Sequence, residues 1–206
     1  NGAKRVQKSS PAANRAGLDT LAKRYEIIMA GAGNCKRIYK QMGEYPITIL
    51  GNYGMAESRI VDGKFQIVRE DKAQVDKKFF EKSCNYLRKK YGYTDFSGES
   101  LEYHESGMVT FGLLGTKAGK EAKLTFDPDK IKRRAMFPEV KEIFKDYSVF
   151  IGGTTSFDIT PKQYNKLDAV LRYAAEHGYS FDQILFVGDD FADGGNASQI
   201  RHGGMD

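Results

Sequence analysis

Apolar residues recur along the chain with two different periods, and the changes between them outline the elements. Over 13–25 (ANRAGLDTLAKRY), Ala16, Leu18, Leu21 and Ala22 fall on one side of a helix. EIIMAGAGN then predicts a short buried strand at 26–29 that runs into a Gly-Ala-Gly turn. CKRIYKQMG (35–43) reads as a helix stopped by Gly43, and YPITILGN (45–52) as a second buried strand. Strand, helix and strand joined by short loops predict a parallel sheet.

The rhythm changes in the middle of the chain. RIVDGKFQIV (59–68) is two alternating runs around Asp62-Gly63, a hairpin signal. An amphipathic helix is expected at 74–92, ended by Gly92, and paired strands at 101–115 and 147–160. Between those pairs, 128–147 is helical, with Pro138 expected to interrupt it. This stretch reads as an antiparallel sheet with helices on one face. After Pro161 the first rhythm returns: a helix at 162–178, with Leu167, Val170, Leu171 and Ala174 on its apolar face, then a buried strand in QILFVGDD (183–190). The expected organisation is an α/β core in two parts, 1–70 and 162–206, interrupted by an α+β domain at 71–161.

Composition narrows the class. With 206 residues, 40% hydrophobic and 12% aromatic, the chain can bury a sizeable core, which argues against disorder. The net charge of +5 comes from dispersed Lys and Arg, clustered only at KIKRR (130–134) and LRKK (87–90). Without an aromatic-basic motif, nucleic acid is not an expected partner, and small anions such as phosphorylated metabolites fit the mild excess better. Cys35 and Cys84 make neither a disulfide framework nor a metal-ligand spacing and read as inert thiols of an intracellular protein. No apolar run approaches the roughly 20 residues that span a bilayer, and no signal peptide is visible. The expectation is a cytoplasmic protein with no membrane partner.

Three stretches carry candidate chemistry. In ILFVGDDFADGGNASQI (184–200), Asp189, Asp190 and Asp193 crowd into a Gly-rich turn after an apolar run. Mutual repulsion and desolvation are costly unless a hard cation offsets them, so Mg²⁺ is the expected occupant, against a plain solvated acidic loop. Carboxylates there would lie at the C-terminal edge of a parallel sheet, where α/β proteins bind ligands. GAGN (31–34) fits either a tight turn or a phosphate cradle built on the backbone of Gly33 and Asn34. A dinucleotide fingerprint would need a small residue where Lys36 stands and an acid ending the next strand; both are missing. In SFDITPKQYNK (156–166), Ser156 and Asp158 flank Phe157 and share a strand face, while Lys162 and Lys166 lie one helical turn apart, either solvated or aimed at an anion.

Taken together these stretches resemble a family. VGDDFADGGNASQI resembles the fourth motif of haloacid dehalogenase-like (HAD) phosphotransferases, and its GD…GGN form is closest to the eukaryotic-type phosphomannomutases. IGGTTSFDITPKQYNK is similar to that family's return from cap to core, HESGMVTFGLLG to a cap strand, PITILGNYGMAESRIVDGKF to the strand and hairpin entering the cap, and IIMAGAGN to the second motif. The resemblance implies a Rossmann-like core with an inserted α+β cap and Mg²⁺-dependent phosphoryl transfer. The enzyme would be a phosphatase or phosphomutase acting on a sugar phosphate or similar metabolite through an aspartyl-phosphate. It assigns Asp189, with Asp190 or Asp193, to the metal, and Lys166, Gly33 and Asn34 to the phosphoryl group. Arg133, Ser156, Asp158 and Asn196 go to the substrate, and a homodimer through the cap is a further expected partner.

The sequence also departs from that pattern. No DxDGT occurs, so the nucleophile is expected outside the given chain; Ala32 or Gly33 stands where a hydroxyl belongs, Ala197 where an acid does, and Glu105-Ser106 replace an arginine. These losses motivate an alternative, a catalytically weakened sugar-phosphate sensor or regulatory protein on the same fold.

Overall fold

In the computed structural model, which describes residues 12–188 and 194–195, the two rhythms become two sheets. The elements in chain order are α1 (Ala12–Leu21), β1 (Ile28–Ala30), α2 (Cys35–Gln41), β2 (Thr48–Gly51), β3 (Ala56–Val61), β4 (Lys64–Glu70), α3 (Lys77–Tyr91), β5 (Leu101–Tyr103), β6 (Val109–Gly112), α4 (Lys120–Thr125), α5 (Ile131–Ile143), β7 (Tyr147–Gly152), β8 (Ser156–Pro161) and α6 (Lys166–His177). Two compact units result. One comprises the described residues up to Asp71 together with 166–184; the other comprises 72–165, with 185–188 and 194–195 grouped to it.

In the first unit the sheet order is β1-β2-β3-β4, with β1 and β2 parallel and the remaining pairs antiparallel. Successive β2 side chains point to opposite faces. Ile49 packs with Cys35, Ile38, Tyr45, Ile47 and Ala56, whereas Leu50 packs with Ala169 and Tyr173 of α6. The β3–β4 turn uses Asp62 and Gly63, both at positive φ (50° and 74°), the conformation a two-residue primed hairpin turn requires. Glu26 clasps α6 to this sheet, accepting from the Tyr173 and Tyr179 hydroxyls at 2.5 Å each. Burial alone would raise the Glu26 carboxyl, but those two donors outweigh it and hold it below the usual range, while burial and the same bond push Tyr173 up to about 12.

The second unit is an antiparallel sheet in the order β5-β6-β8-β7. On one face Val109, Phe111, Leu113, Val149, Ile151, Phe157 and Ile159 meet Phe80, Cys84 and Leu87 of α3 and Met136 and Val140 of α5, with Phe144. Asp76 caps α3 by accepting from the Phe79 amide at 3.0 Å, and Gly92 ends it at φ 74°.

Two expectations change, and one element appears where none was expected. Pro138 sits inside α5 without breaking it. It removes one helical hydrogen bond, from its own position to the carbonyl of Arg134, and both residues are exposed, so the loss falls on the solvent side of the helix. Residues 120–125 form α4, which has no buried residue and therefore no apolar stripe to betray it. The strand expected at 183–190 is not formed in its described part: residues 181–183 are a single 3₁₀ turn, and no ladder among the described residues takes in 184–188, while 189–190 lie outside the described residues. Leu185 and Val187 stand 78% and 84% exposed. An apolar run has the propensity for a strand, but only a neighbouring edge supplies the hydrogen bonds.

Candidate functional site

The expected site residues divide between the two units, and each set has its own geometry. In the first unit, the loop carrying Gly33 and Asn34 is stitched to residues 51–54. The Gly31 N–H donates to the Leu50 carbonyl (2.9 Å), Asn52 N–H to Gly33 O (2.8 Å) and Tyr53 N–H to Gly31 O (3.0 Å). A Cβ on Gly51 would lie 2.8 Å from Cys35 N and 2.9 Å from Gly33 O, so glycine is required for the two loops to touch. Asn52, Tyr53 and Gly54 are left-handed in succession (φ 48°, 56° and 91°), and Tyr53 is fully buried. A bulky residue held there stores strain of about 1–3 kcal/mol, a level that persists only where the surroundings fix it and that clusters at functional sites.

Gly54 in turn touches α6. A Cβ on it would fall 2.5 Å from that of Ala169, and its carbonyl accepts from the Arg172 guanidinium. Lys166 opens α6 three residues before Ala169, on the same helical face. The structure therefore joins Gly33, Asn34 and the helix bearing Lys166 through residues 51–54. Sequence reading passed over that connection, although two glycines bracketing Asn-Tyr after a buried strand were its visible signal. The Asn34 side chain is used locally, capping α2 by accepting from the Arg37 amide at 2.8 Å.

In the second unit, Ser156 and Asp158 lie on the sheet face opposite Phe157. Asp158 is 9% exposed and pairs in register with Thr110 of β6 and Phe150 of β7. The Thr110 hydroxyl donates to Asp158 Oδ1 (3.1 Å) and lies 3.0 Å from His104 Nε2. Gly152 brings the backbone against this carboxylate: a Cβ there would be 2.5 Å from Asp158 Cγ. The Ser156 hydroxyl donates to the Gly152 carbonyl at 3.1 Å.

Arg133 has a different place from the substrate contact expected of it. It is 1% exposed; its Nε donates to Asp127 Oδ2 (2.9 Å), and Nη1 to the carbonyls of Gly152 (2.7 Å), Gly153 (3.2 Å) and Ser156 (3.4 Å). Asp127 also accepts the amides of Lys132 and Arg133, at 3.0 and 3.1 Å. Burial would raise the Asp127 carboxyl, but Arg133 and those amides overcome it and hold it low. Arg133 thus fastens α5 to the β7–β8 turn and sets the position of Ser156, because an arginine at 1% exposure is stable only when its fork is satisfied by protein groups.

Asp189, Asp190, Asp193 and Asn196 lie outside the described residues. Among the described residues no group of three His, Cys, Asp or Glu side chains is arranged to hold a metal ion.

The sequence profile of the eukaryotic phosphomannomutase family matches residues 15–203. Comparison with curated protein sequences gives no match. Among solved structures, an IMP-bound IMP-nucleotidase from Plasmodium falciparum is similar with a TM-score of 0.61 at 14% identity, over 93% of this chain and 57% of that one. The chain thus spans little more than half of that nucleotidase. A haloacid dehalogenase-like hydrolase from B. subtilis matches with a TM-score of 0.61 at 10% identity, over 95% and 81%. The C-terminal domain of a C. albicans trehalose-6-phosphate phosphatase matches with 0.50 at 19%, over 81% and 53%. At these identities the structural likeness establishes the HAD-like α/β fold with its cap, and the profile match across 15–203 establishes that the chain belongs to the eukaryotic phosphomannomutase family.

Proposed function

We propose that the protein performs Mg²⁺-dependent phosphoryl transfer, as a phosphatase or phosphomutase, on a sugar phosphate or similar phosphorylated metabolite. The observation that carries this reading is the strained 51–54 loop, which ties the Gly33–Asn34 turn to the helix bearing Lys166 in a chain of this family. Lys166 opens α6 with its charge toward the phosphoryl group, and the backbone of Gly33 and Asn34 donates to it; no carbonyl among the described residues takes those two amides. In the second unit Asp158 accepts substrate hydroxyls and Ser156 lines the same face. Asn196 contributes a further polar group. The nucleophilic aspartate belongs to a segment outside the given chain.

Asp189, with Asp190 or Asp193, would hold Mg²⁺, since three carboxylates within five residues of sequence are the hard oxygen donors that cation takes. When bound, the ion neutralises charge on the transferring phosphoryl group. A cytoplasmic setting and a homodimer through the 72–165 unit belong to the same reading; among the described residues no helix is long and apolar enough to cross a membrane. Turnover of p-nitrophenyl phosphate by the full-length protein that requires divalent metal and is lost in Asp189→Ala is the expected result. Metal-independent turnover, or activity surviving Asp189→Ala, overturns the assignment.

A second reading, a sugar-phosphate sensor, is favoured by Ala32, Gly33 and Ala197, which lack the polar groups catalysis would use. It predicts binding of a sugar phosphate without turnover.

A further inference from the structure

We infer that His104 is a substrate-positioning residue, acting through Thr110 on Asp158 to fix how that carboxylate receives a sugar hydroxyl. The inference rests on the sugar-phosphate reading above and extends it to two residues outside the SFD segment.

The direction of the hydrogen bonds follows from counting protons. An ionised carboxylate only accepts, and Thr110 has one hydroxyl hydrogen. Since Thr110 Oγ1 donates that hydrogen to Asp158 Oδ1 at 3.1 Å, it must accept from His104 Nε2 at 3.0 Å. The chain of donation runs from imidazole to hydroxyl to carboxylate. It fixes the tautomer, with the proton on Nε2, and it commits Oδ1 to Thr110. A substrate hydroxyl then meets a carboxylate held in one rotamer.

The surroundings hold that rotamer. Gly152 lies so close that any side chain there would displace the Asp158 carboxylate, and Phe150 is its cross-strand neighbour from β7. His104 is held at its backbone, donating to the Met108 carbonyl (2.9 Å) while its own carbonyl accepts from Gly107 N–H (2.9 Å), so the imidazole is presented by a closed turn. Both His104 and Thr110 are half-buried, as groups that meet solvent or ligand are, and neither side chain belongs to the apolar core of the unit.

The test measures equilibrium binding of α-mannose 1-phosphate and of inorganic phosphate to the full-length protein. Thr110→Val keeps the shape and removes the hydroxyl; His104→Leu removes the donor; Thr110→Ser and His104→Gln retain a hydroxyl and an Nε-type donor. Kd for mannose 1-phosphate rises about tenfold in Thr110→Val and His104→Leu, corresponding to about 1.4 kcal/mol. The increase for inorganic phosphate is much smaller, and Ser and Gln recover most of the affinity. Equal weakening for both anions, no rescue by the conservative variants, or no binding of mannose 1-phosphate by the parent protein overturns the inference. Turnover of p-nitrophenyl phosphate by the parent tests the phosphoryl-transfer reading separately. Selective loss of sugar-phosphate binding in a protein with no turnover retains the relay and removes the enzyme.

Discussion

Replacing Arg133 by methionine keeps much of the side-chain volume and removes a charge that the structure uses entirely inside the 72–165 unit. Asp127, 4% exposed, would keep two backbone donors and lose its counter-charge, and the carbonyls of Gly152, Gly153 and Ser156 would lose the Nη1 donor. Removing one partner of a buried pair costs about 3–5 kcal/mol. With a urea m-value of about 1–3 kcal/mol/M, the unfolding midpoint should fall by at least about 1 M. The chain has no tryptophan, so far-ultraviolet circular dichroism is the suitable probe. Asp127→Asn combined with Arg133→Met should recover part of the loss, with a coupling of about 0.5–3 kcal/mol, because no unpaired charge is then left buried.

The pH dependence has a definite sign. The folded Asp127 carboxyl lies below its unfolded value, so the unfolded chain takes up the proton first as pH falls. Its contribution is full above the unfolded value of about 3.9 and is lost as pH drops through the folded one. In Arg133→Met that acid-side loss should shrink. An Arg133→Met protein that unfolds at the parent midpoint but binds mannose 1-phosphate poorly would refute the reasoning and return Arg133 to the substrate.

Gly152→Ala should push the Asp158 carboxylate out of its place and raise Kd for mannose 1-phosphate while circular dichroism shows the fold retained; an unchanged Kd would mean that the position of Asp158 does not govern binding. Gly51→Ala must separate residues 31–34 from 51–54 and should destabilise by about 1–3 kcal/mol in urea unfolding, whereas a neutral effect would show that the contact is not tight. Cys84, its thiol pushed up to about 12 by burial, and Cys35, raised for the same reason, should resist a thiol-reactive disulfide reagent until urea exposes them, and fast labelling of the native protein would contradict their burial.

Local chemistry made much of the fold legible. Asp62-Gly63 could only be a tight hairpin because both positions need positive φ, and Gly92 ends α3 for the same reason. Alternation around Phe157 put Ser156 and Asp158 on one face before any partner strand was known, since the side-chain period of a strand is two residues regardless of its neighbours. The change from helix-strand rhythm to hairpins and back gave two sheets.

What lay beyond the sequence depends on residues far apart along it. Register is one such quantity: only the β6–β8 ladder sets Thr110 opposite Asp158, 48 residues away, and so creates the link to His104. Desolvation is another. KIKRR gives no sign that Arg133 differs from Arg134, yet helix packing buries the first against Asp127 and leaves the second exposed. Pro138 is tolerated because the carbonyl it deprives faces solvent, and ILFVG (184–188) forms no strand because strand propensity does not create an edge to pair with. Period, capping and turn conformation are fixed within a few residues, whereas register, burial and the pairing of charges are settled when distant segments meet.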